Sequence, residues 1–461
     1  MVVLKHYSRI LEDTIVGRPL FRNAFIRGRM AILLQQLVVA VAIAVTLAHP
    51  TVLSELSVYL SANMHTQVGQ HAAVLSWYVQ GTTDVSIGAD TLVLERAVRV
   101  RVSYGSHDGK VHFDVQRPLD MARHVTLTAM ELATLPSSVP LSYDVRVELV
   151  LVHKSNHSST GISTWTPWSA TRTWFVGPAA ELHAWPAGAG WICTSPSGST
   201  DSRSSLLRRE FKIPAGRTVT SAVVHAVGLG VFRLHVNGVD IMSGEHTTPG
   251  QTDWRKRVLY STYALPSGLL IAGGSNAVAA TIGNGMYNVP NVAGRYTKWS
   301  GSFGPRMVLL TLIAILDDGS NVTVASNATA AGDDQWLATD GGPITFSHEY
   351  GGEDFHASLQ TPGWDSPGFN SSSNPLVPWT PARDCAAAYP GGSLLPTGFE
   401  PVAVVRSLPA INMTASTPAG TLLIDVGKNF AGSAKIEITG VPHKTHFVSA
   451  TAMLWKEVST N

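Results

Sequence analysis

The chain has 461 residues, carries a formal net charge of +1 and is only 14% charged. At roughly 100–200 residues per domain, that length implies two to four domains. No basic excess favours nucleic acid, and no acidic tail is present. The 41 glycines and 26 prolines, with Val and Thr in short runs, predict an all-β chain of short strands and turns.

Lys5, Arg9, Arg18, Arg22, Arg27 and Arg29 precede an uncharged stretch, AILLQQLVVAVAIAVTLA, at 31–48. A basic flank before such a run predicts a secretory signal peptide or a signal anchor helix. Its length sits at the border of the roughly 17–25 residues that span a bilayer. Thr46 and Ala48 suit cleavage after Ala48, whereas the long basic lead suits an uncleaved anchor or initiation at Met30. A buried core helix is the structural alternative. On either targeting reading, residues 1–50 are lead and hydrophobic segment, and the chain after 50 is lumenal or extracellular. It then meets a membrane only through 31–48, if that segment is uncleaved.

From about residue 90, alternation dominates. AVRVRV (97–102) sets Val98, Val100 and Val102 against Arg99 and Arg101; VHFDVQ (111–116), VTLTAM (125–130) and YDVRVELVLV (143–152) follow. Period-two patterning gives each strand one dry and one wet face. Closed by TWTPWSATRTWFVG (164–177), this segment predicts a small β-sandwich over 51–180, and that closing text resembles the end of an immunoglobulin-like or fibronectin-type domain. A Pro/Gly/Ala-rich connector leads to a second, larger, jelly-roll-like sandwich expected over 185–385. There Asn237-Gly238 stands between FRLHV and VDI and predicts a tight hairpin, because a primed turn needs positive φ at both central positions. MVLLTLIAIL (307–316) reads as a buried strand or strand pair, and Asp317-Asp318-Gly319 as the turn after it rather than a calcium site. TLLIDVGKNFAGSAKIEITG (421–440) reads strand, turn, strand, the start of a third β-domain over 386–461.

Asn156, Asn321, Asn327, Asn370 and Asn412 head N-x-[ST] acceptor sequons, in keeping with a secretory chain. Cys193 and Cys385 can pair, but two cysteines make no disulfide framework, and their separation in sequence says nothing of their distance in space.

The second block resembles the N-terminal, non-catalytic β-domains of bacterial-type α-L-rhamnosidases. The matching text runs from LLRREF (206–211) through GLGVFRLHVNGVDI (228–241), TPGQTDWRKRVLYSTYAL (248–265) and GNGMYNV (283–289). It continues with SHEYGGEDFHASL and PGWDSPGFNSSSNPLVPWTPA (362–382), then DVGKNFAG (425–432). The order is the family order, and the resemblance covers about 95–461. It implies an accessory region of a glycoside hydrolase that removes terminal α-L-rhamnose. Its acid and base would lie in an (α/α)6 barrel, in a longer or a separate chain. No catalytic residue is therefore carried over to this sequence. Where the family pattern has Asp and Arg after the Gly-Gly-Glu run, this chain has His356 and Ser358.

Candidate sites divide by chemistry. FSHEYGGEDFHAS (346–358) offers Glu349 and Glu353 as a glycosidase-like pair. Strand spacing sets such a pair about 13 Å apart, beyond the roughly 5–5.5 or 6.5–9.5 Å of glycosidases. Gly351-Gly352 disfavours a helix that would close the gap. A turn-holding role is expected instead. Trp254, Tyr287, Trp299 and Trp364, with Asp365 and near Asp253, Asn284 and Asn288, are candidates for a carbohydrate platform; the alternative is that the rings plug sandwich edges. His443 with His446, and His153 with His157, lack companion ligands, so no metal is expected. GLG (228–230) and GNG (283–285) lack a phosphate-loop context, so no nucleotide cofactor is expected. The expected function is a non-catalytic rhamnosidase region that supports folding or binds a rhamnose-containing glycan or glycoside. A stand-alone carbohydrate-binding or adhesion module, or an inactive truncated product, are the alternatives.

Overall fold

The computed structural model describes residues 185–432 with short breaks and, before them, the strands between 56 and 175 with the segment 166–169. The stretch 31–48, Asn156, His157, His443 and His446 lie outside the described residues. Among the described residues, regular structure is strand, with three-residue 3-10 turns, and no helix is long and apolar enough to cross a membrane.

Eight strands come first: β1 (Leu56–Leu60), β2 (Ala73–Gly81), β3 (Thr91–Tyr104), β4 (Val111–Pro118), β5 (His124–Leu127), β6 (Pro140–His153), β7 (Ser159–Trp165) and β8 (Arg172–Phe175). They form a three-stranded sheet, β1-β2-β5, and a five-stranded one, β4-β3-β6-β7, with β8 also on β6. The expected alternation holds on β3 and β6: Val98, Val100, Val102, Val145 and Val147 are buried. On the other face, Arg101 bonds Asp144 and lies 4.4 Å over the Trp168 ring, and Arg146 lies 4.8 Å over the same ring. Trp165 and Trp168 thus lie against the Arg101 and Arg146 guanidinium groups. Thr166 and Ser169 hold that segment on β6 by accepting from the Val147 and Val145 amides at 3.0 Å.

The second unit contains β9 (Ile192–Cys193), β10 (Ser205–Lys212), β11 (Val219–Leu229), β12 (Val231–Val236), β13 (Val239–Asp240), β14 (Glu245–His246), β15 (Arg257–Ala264), β16 (Ser275–Gly283), β17 (Asn288–Val289), β18 (Gly301–Ser302), β19 (Met307–Leu316), β20 (Asn321–Ala325), β21 (Leu337–Thr339), β22 (Ile344–His348), β23 (Gly352–Phe355), β24 (Thr380–Pro381), β25 (Arg383–Asp384), β26 (Ser393–Pro396) and β27 (Val402–Ala403). Sheet one runs β13-β12-β16-β10-β21-β24, and sheet two runs β25-β9-β19-β11-β15-β26, with β20 also on β19. Between them lies a core to which β12 gives Phe232, Leu234 and Val236, and β19 gives Val308, Leu310, Leu312 and Ala314. The chain passes from sheet two to sheet one at a single residue, Gly230, whose φ of 126° a side chain would resist. Asn237 and Gly238 take φ of 50° and 79° and make the expected hairpin.

β19 is a continuous apolar run because both of its faces are covered. Its odd positions, Met307 and Leu309, join Val227 and Leu229 of β11 under an outer layer of Trp185, Trp191, Trp254, Tyr260, Tyr287 and Leu394. Cys193 and Cys385 pair across this layer, with Cα atoms 6.0 Å apart, and so tie β9 to the chain just after β25. Closing so long a loop contributes roughly 2–4 kcal/mol. β26 pairs in parallel with β15, and β27 pairs with β14, so the chain to about 403 builds this unit. The edge of β15 needs a partner, and the following segment supplies it. Beyond it, β28 (Asn412–Ser416) and β29 (Thr421–Asp425) make a hairpin that leads into DVGKNFAG; the second strand expected after that turn lies outside the described residues.

His225 on β11 belongs to the outer layer. It is fully buried, its ring 6.5 Å from both Trp185 and Tyr260, with Nδ1 2.8 Å from Thr262 Oγ1. Burial lowers its pKa to about 4. In the unfolded chain the ring titrates near 6.5. Between these values the unfolded state binds a proton that the folded state refuses, so stability falls as pH drops through that window and is level above it. The loss amounts to about 3 kcal/mol in all. Urea unfolding at pH 7 and pH 4 should show His225→Gln losing about 3 kcal/mol less than the wild type between the two.

Candidate functional site

The outer face of sheet one carries the side chains that alternate away from the core. β12 points Arg233 and His235 outward, and β16 points Thr281 outward, directly between Arg233 and Leu206 of β10 in register. Two segments rise over this face and make it concave. One is the ribbon β22–β23, which contains the GGE run. The other is the loop 360–369.

Both are pinned. In the ribbon, Ser347 donates its amide to Ser202 O at 2.6 Å, and Asn284 donates to Ser347 O at 2.8 Å. His348 Nδ1 accepts the amides of Tyr350 and Gly351, at 3.1 and 2.8 Å, which leaves Nε2–H to donate to Pro290 O at 2.8 Å. Arg295 adds an ion pair to Asp354 and lies 4.3 Å over Phe346. In the loop, Gly238 donates its amide to Asp365 O at 3.0 Å, Arg208 donates to Ser366 O at 3.0 Å, and Gly368 donates to Glu210 at 3.0 Å. The Asp365 carboxylate meets His235 Nδ1 at 2.7 Å, which holds the carboxyl below its ordinary range.

The result is two cavities side by side. The first, about 300 Å³, lies among Leu206, His235, Phe355, Gln360, Trp364 and Asp365. The second, about 310 Å³, lies among Arg233, Glu245, His246, Thr248, Ser347 and Glu353. They share Ser204, Thr281 and Ile344 as a common floor. Each matches the lower end of ligand pockets, roughly 300–1,000 Å³.

The residues singled out from sequence scatter. Trp364 is half-buried, stacked 6.1 Å from Trp379 and tilted 5.8 Å from His235, and it reaches the first cavity with Asp365. Trp254 and Tyr287 do not offer a platform. They are 8% and 0% exposed and meet edge to face at 5.5 Å under the outer layer of sheet two, so neither ring has a free face for a sugar. Asp253 is engaged by Arg255 and Lys256, and Asn284 and Asn288 are buried. Trp299 is 42% exposed, but it does not line either cavity. Glu353 lines the second cavity; Glu349 sits in the turn and lines neither. Partial desolvation raises both carboxyls above the ordinary range. His356 donates its amide to Pro343 O at 2.8 Å, and Ser358 O accepts from Asn374, so both are held by backbone bonds. Asn321, Asn370 and Asn412 are exposed and Asn327 is half-buried. Sequence reasoning missed His235, Phe355, Gln360 and Thr281. FRLHV was legible only as one arm of the Asn237-Gly238 hairpin, and nothing local said what would cover its outward side chains.

Behind the shared floor lies a buried polar network. Arg306, 3% exposed, donates to Asn284 Oδ1 at 2.8 Å and to Ser205 Oγ at 3.2 Å, and approaches Asp340 Oδ1 at 3.4 Å. Asp340 Oδ1 also accepts from Ser205 at 2.6 Å and Thr194 at 3.0 Å. Asn284 then reaches Ser347 of the ribbon.

Fold and site together define a β-sandwich domain with a ligand-sized groove on one outer sheet face. Residues 217–406, which include both β12 and the groove-forming ribbon and loop, match the family model of the α-L-rhamnosidase N-terminal domain. The chain is 33% identical over 270 residues to an α-L-rhamnosidase of Streptomyces avermitilis, a match covering 57% of this chain and 23% of that protein. It is 30% identical over 247 residues to an α-L-rhamnosidase of Alteromonas sp., covering 53% and 24%. The match thus spans about a quarter of these relatives' length. Among solved structures, the native α-L-rhamnosidase from Aspergillus terreus superposes with a TM-score of 0.60 at 23% identity, over 81% of this chain and 39% of that one. The Streptomyces avermitilis enzyme complexed with L-rhamnose gives 0.56 at 16% identity, over 82% and 49%. At these identities the structures speak to the fold alone.

The network behind the floor gives a stability test. Asp340→Ala leaves the buried Arg306 charge without its carboxylate and should cost about 3–5 kcal/mol in urea unfolding, whereas Asp340→Asn, which keeps an acceptor for Ser205 and Thr194, should cost less.

Proposed function

We propose that this chain is the non-catalytic N-terminal region of an α-L-rhamnosidase-type glycoside hydrolase, and that its groove holds a rhamnose-containing glycan. Hydrolysis falls to the (α/α)6 barrel of such enzymes, in a longer chain or a separate one. The family match carries this reading, because 217–406 contains nearly all of the groove. On the same reading, the first unit is an immunoglobulin- or fibronectin-like sandwich and the second a jelly-roll-like one.

The chemistry of the first cavity suits a 6-deoxy sugar. Trp364 offers an apolar ring for a C–H face and a methyl group. His235, Asp365, Gln360 and Thr281 offer hydrogen bonds to hydroxyls at its rim. The pins on the loop fix these groups before any ligand arrives, which reduces the ordering cost of binding. A secretory destination is part of the proposal. The Cys193–Cys385 bond favours an oxidising compartment, and four sequons lie at or near the surface.

Calorimetric titration of the chain with a rhamnose-terminated oligosaccharide tests this. Trp364→Ala should weaken binding about tenfold or more, equivalent to ~1.4 kcal/mol, and Trp299→Ala should leave it unchanged. Absence of binding by the wild type, or dependence on Trp299 instead, would contradict the proposal.

A further inference from the structure

The two cavities differ in chemistry and run on from one another. The first is apolar in its walls, with Leu206, Pro343, Phe355, Pro362 and Trp364. The second is polar and charged, with Arg233, Glu245, His246, Thr248 and Glu353. The first touches β12 at His235, and the second reaches Val231. Four residues of strand at ~3.3 Å each place these ends about 13 Å apart, longer than a single hexose ring. The floor between them, at Thr281, is continuous.

Charge in the second cavity is mostly spoken for. Arg233 donates to Glu245 O at 2.7 Å and Met242 O at 3.2 Å and pairs with Asp240. The Glu245 carboxylate accepts from Tyr263 at 3.0 Å and Thr248 at 3.1 Å. Glu353 differs. Among the described residues its carboxyl has no hydrogen-bond or ion-pair partner, and it stands on β23 facing the cavity. It is an acceptor awaiting hydroxyl donors, and it repels a carboxylate.

Resting on the carbohydrate reading above, we infer that the groove takes a neutral glycan chain of at least two residues. A deoxyhexose sits against Trp364, and the adjoining hydroxyl-rich, uncharged sugar sits over Thr281 and Glu353. A uronic acid in the second position would bring its carboxylate against the carboxylates of Glu353 and Glu245, and like charges repel.

Titrations of the full chain with methyl α-L-rhamnoside, a neutral rhamnose-terminated trisaccharide and its uronate-containing counterpart separate the outcomes. The trisaccharide should bind at least tenfold more tightly than the monosaccharide, and the uronate form more weakly than the neutral one. Glu353→Ala should remove most of the chain-length gain yet leave the monosaccharide unaffected, and Glu353→Gln should narrow the gap between neutral and uronate ligands. Glu353 is exposed, so both variants should melt as the wild type does. Equal affinity for mono- and trisaccharide, or indifference to Glu353→Ala, would overturn the two-residue groove while leaving carbohydrate binding intact. Failure of every ligand to bind would overturn both.

Discussion

One buried guanidinium organises the second unit. Arg306 immediately precedes β19, a central strand of sheet two, yet its hydrogen bonds run to Ser205 on β10 and Asn284 just after β16, on the sheet-one side, and its ion pair to Asp340 just after β21. A charge this deep is tolerated only because carboxylate, amide and hydroxyl surround it. The same Asn284 supports the ribbon through Ser347. The Arg306 constellation therefore links the two sheets to each other and to the groove wall, alongside the core and the other pins of the ribbon.

The remaining architecture follows from how each sheet hides its faces. Sheet two is apolar on both sides, so the chain must cover it twice. Sheet one does so from within, and the Trp185–Cys193 and Cys385–Leu394 segments do so from without, clamped by the disulfide. These covers take up the connector and the stretch after 385. Sheet one needs no second apolar cover, because its outer face is polar. Among the described residues, the ribbon and the loop 360–369 reach over it, and the space they leave is the groove.

Much of this was legible in sequence, and the limits have physical causes. Period-two alternation located β3 and β6, and Asn237-Gly238 fixed the hairpin of β12 and β13, because these signals are local. The run MVLLTLIAIL announced burial but not its two-sidedness, which depends on segments scattered along the chain from Trp185 to Leu394. Trp254 and Trp364 look alike in sequence, each followed or preceded by Asp and flanked by turn residues. One is buried under sheet two and the other reaches the groove. What separates them is the strand each neighbours, a tertiary fact. FSHEYGGEDFHAS behaves the same way. Its paired glutamates diverge, since β22 and β23 turn between them, and only Glu353 faces the floor.

The central claim is that the outer face of sheet one, walled by the ribbon and the loop 360–369, is the ligand face of this chain. Amide hydrogen exchange with and without a rhamnose-terminated oligosaccharide tests it most directly. The account predicts slowed exchange confined to 344–355, 360–366 and the facing parts of β12 and β16, with the 296–301 segment unchanged. Protection around Trp299, or none on the ribbon and loop at saturating ligand, would contradict it.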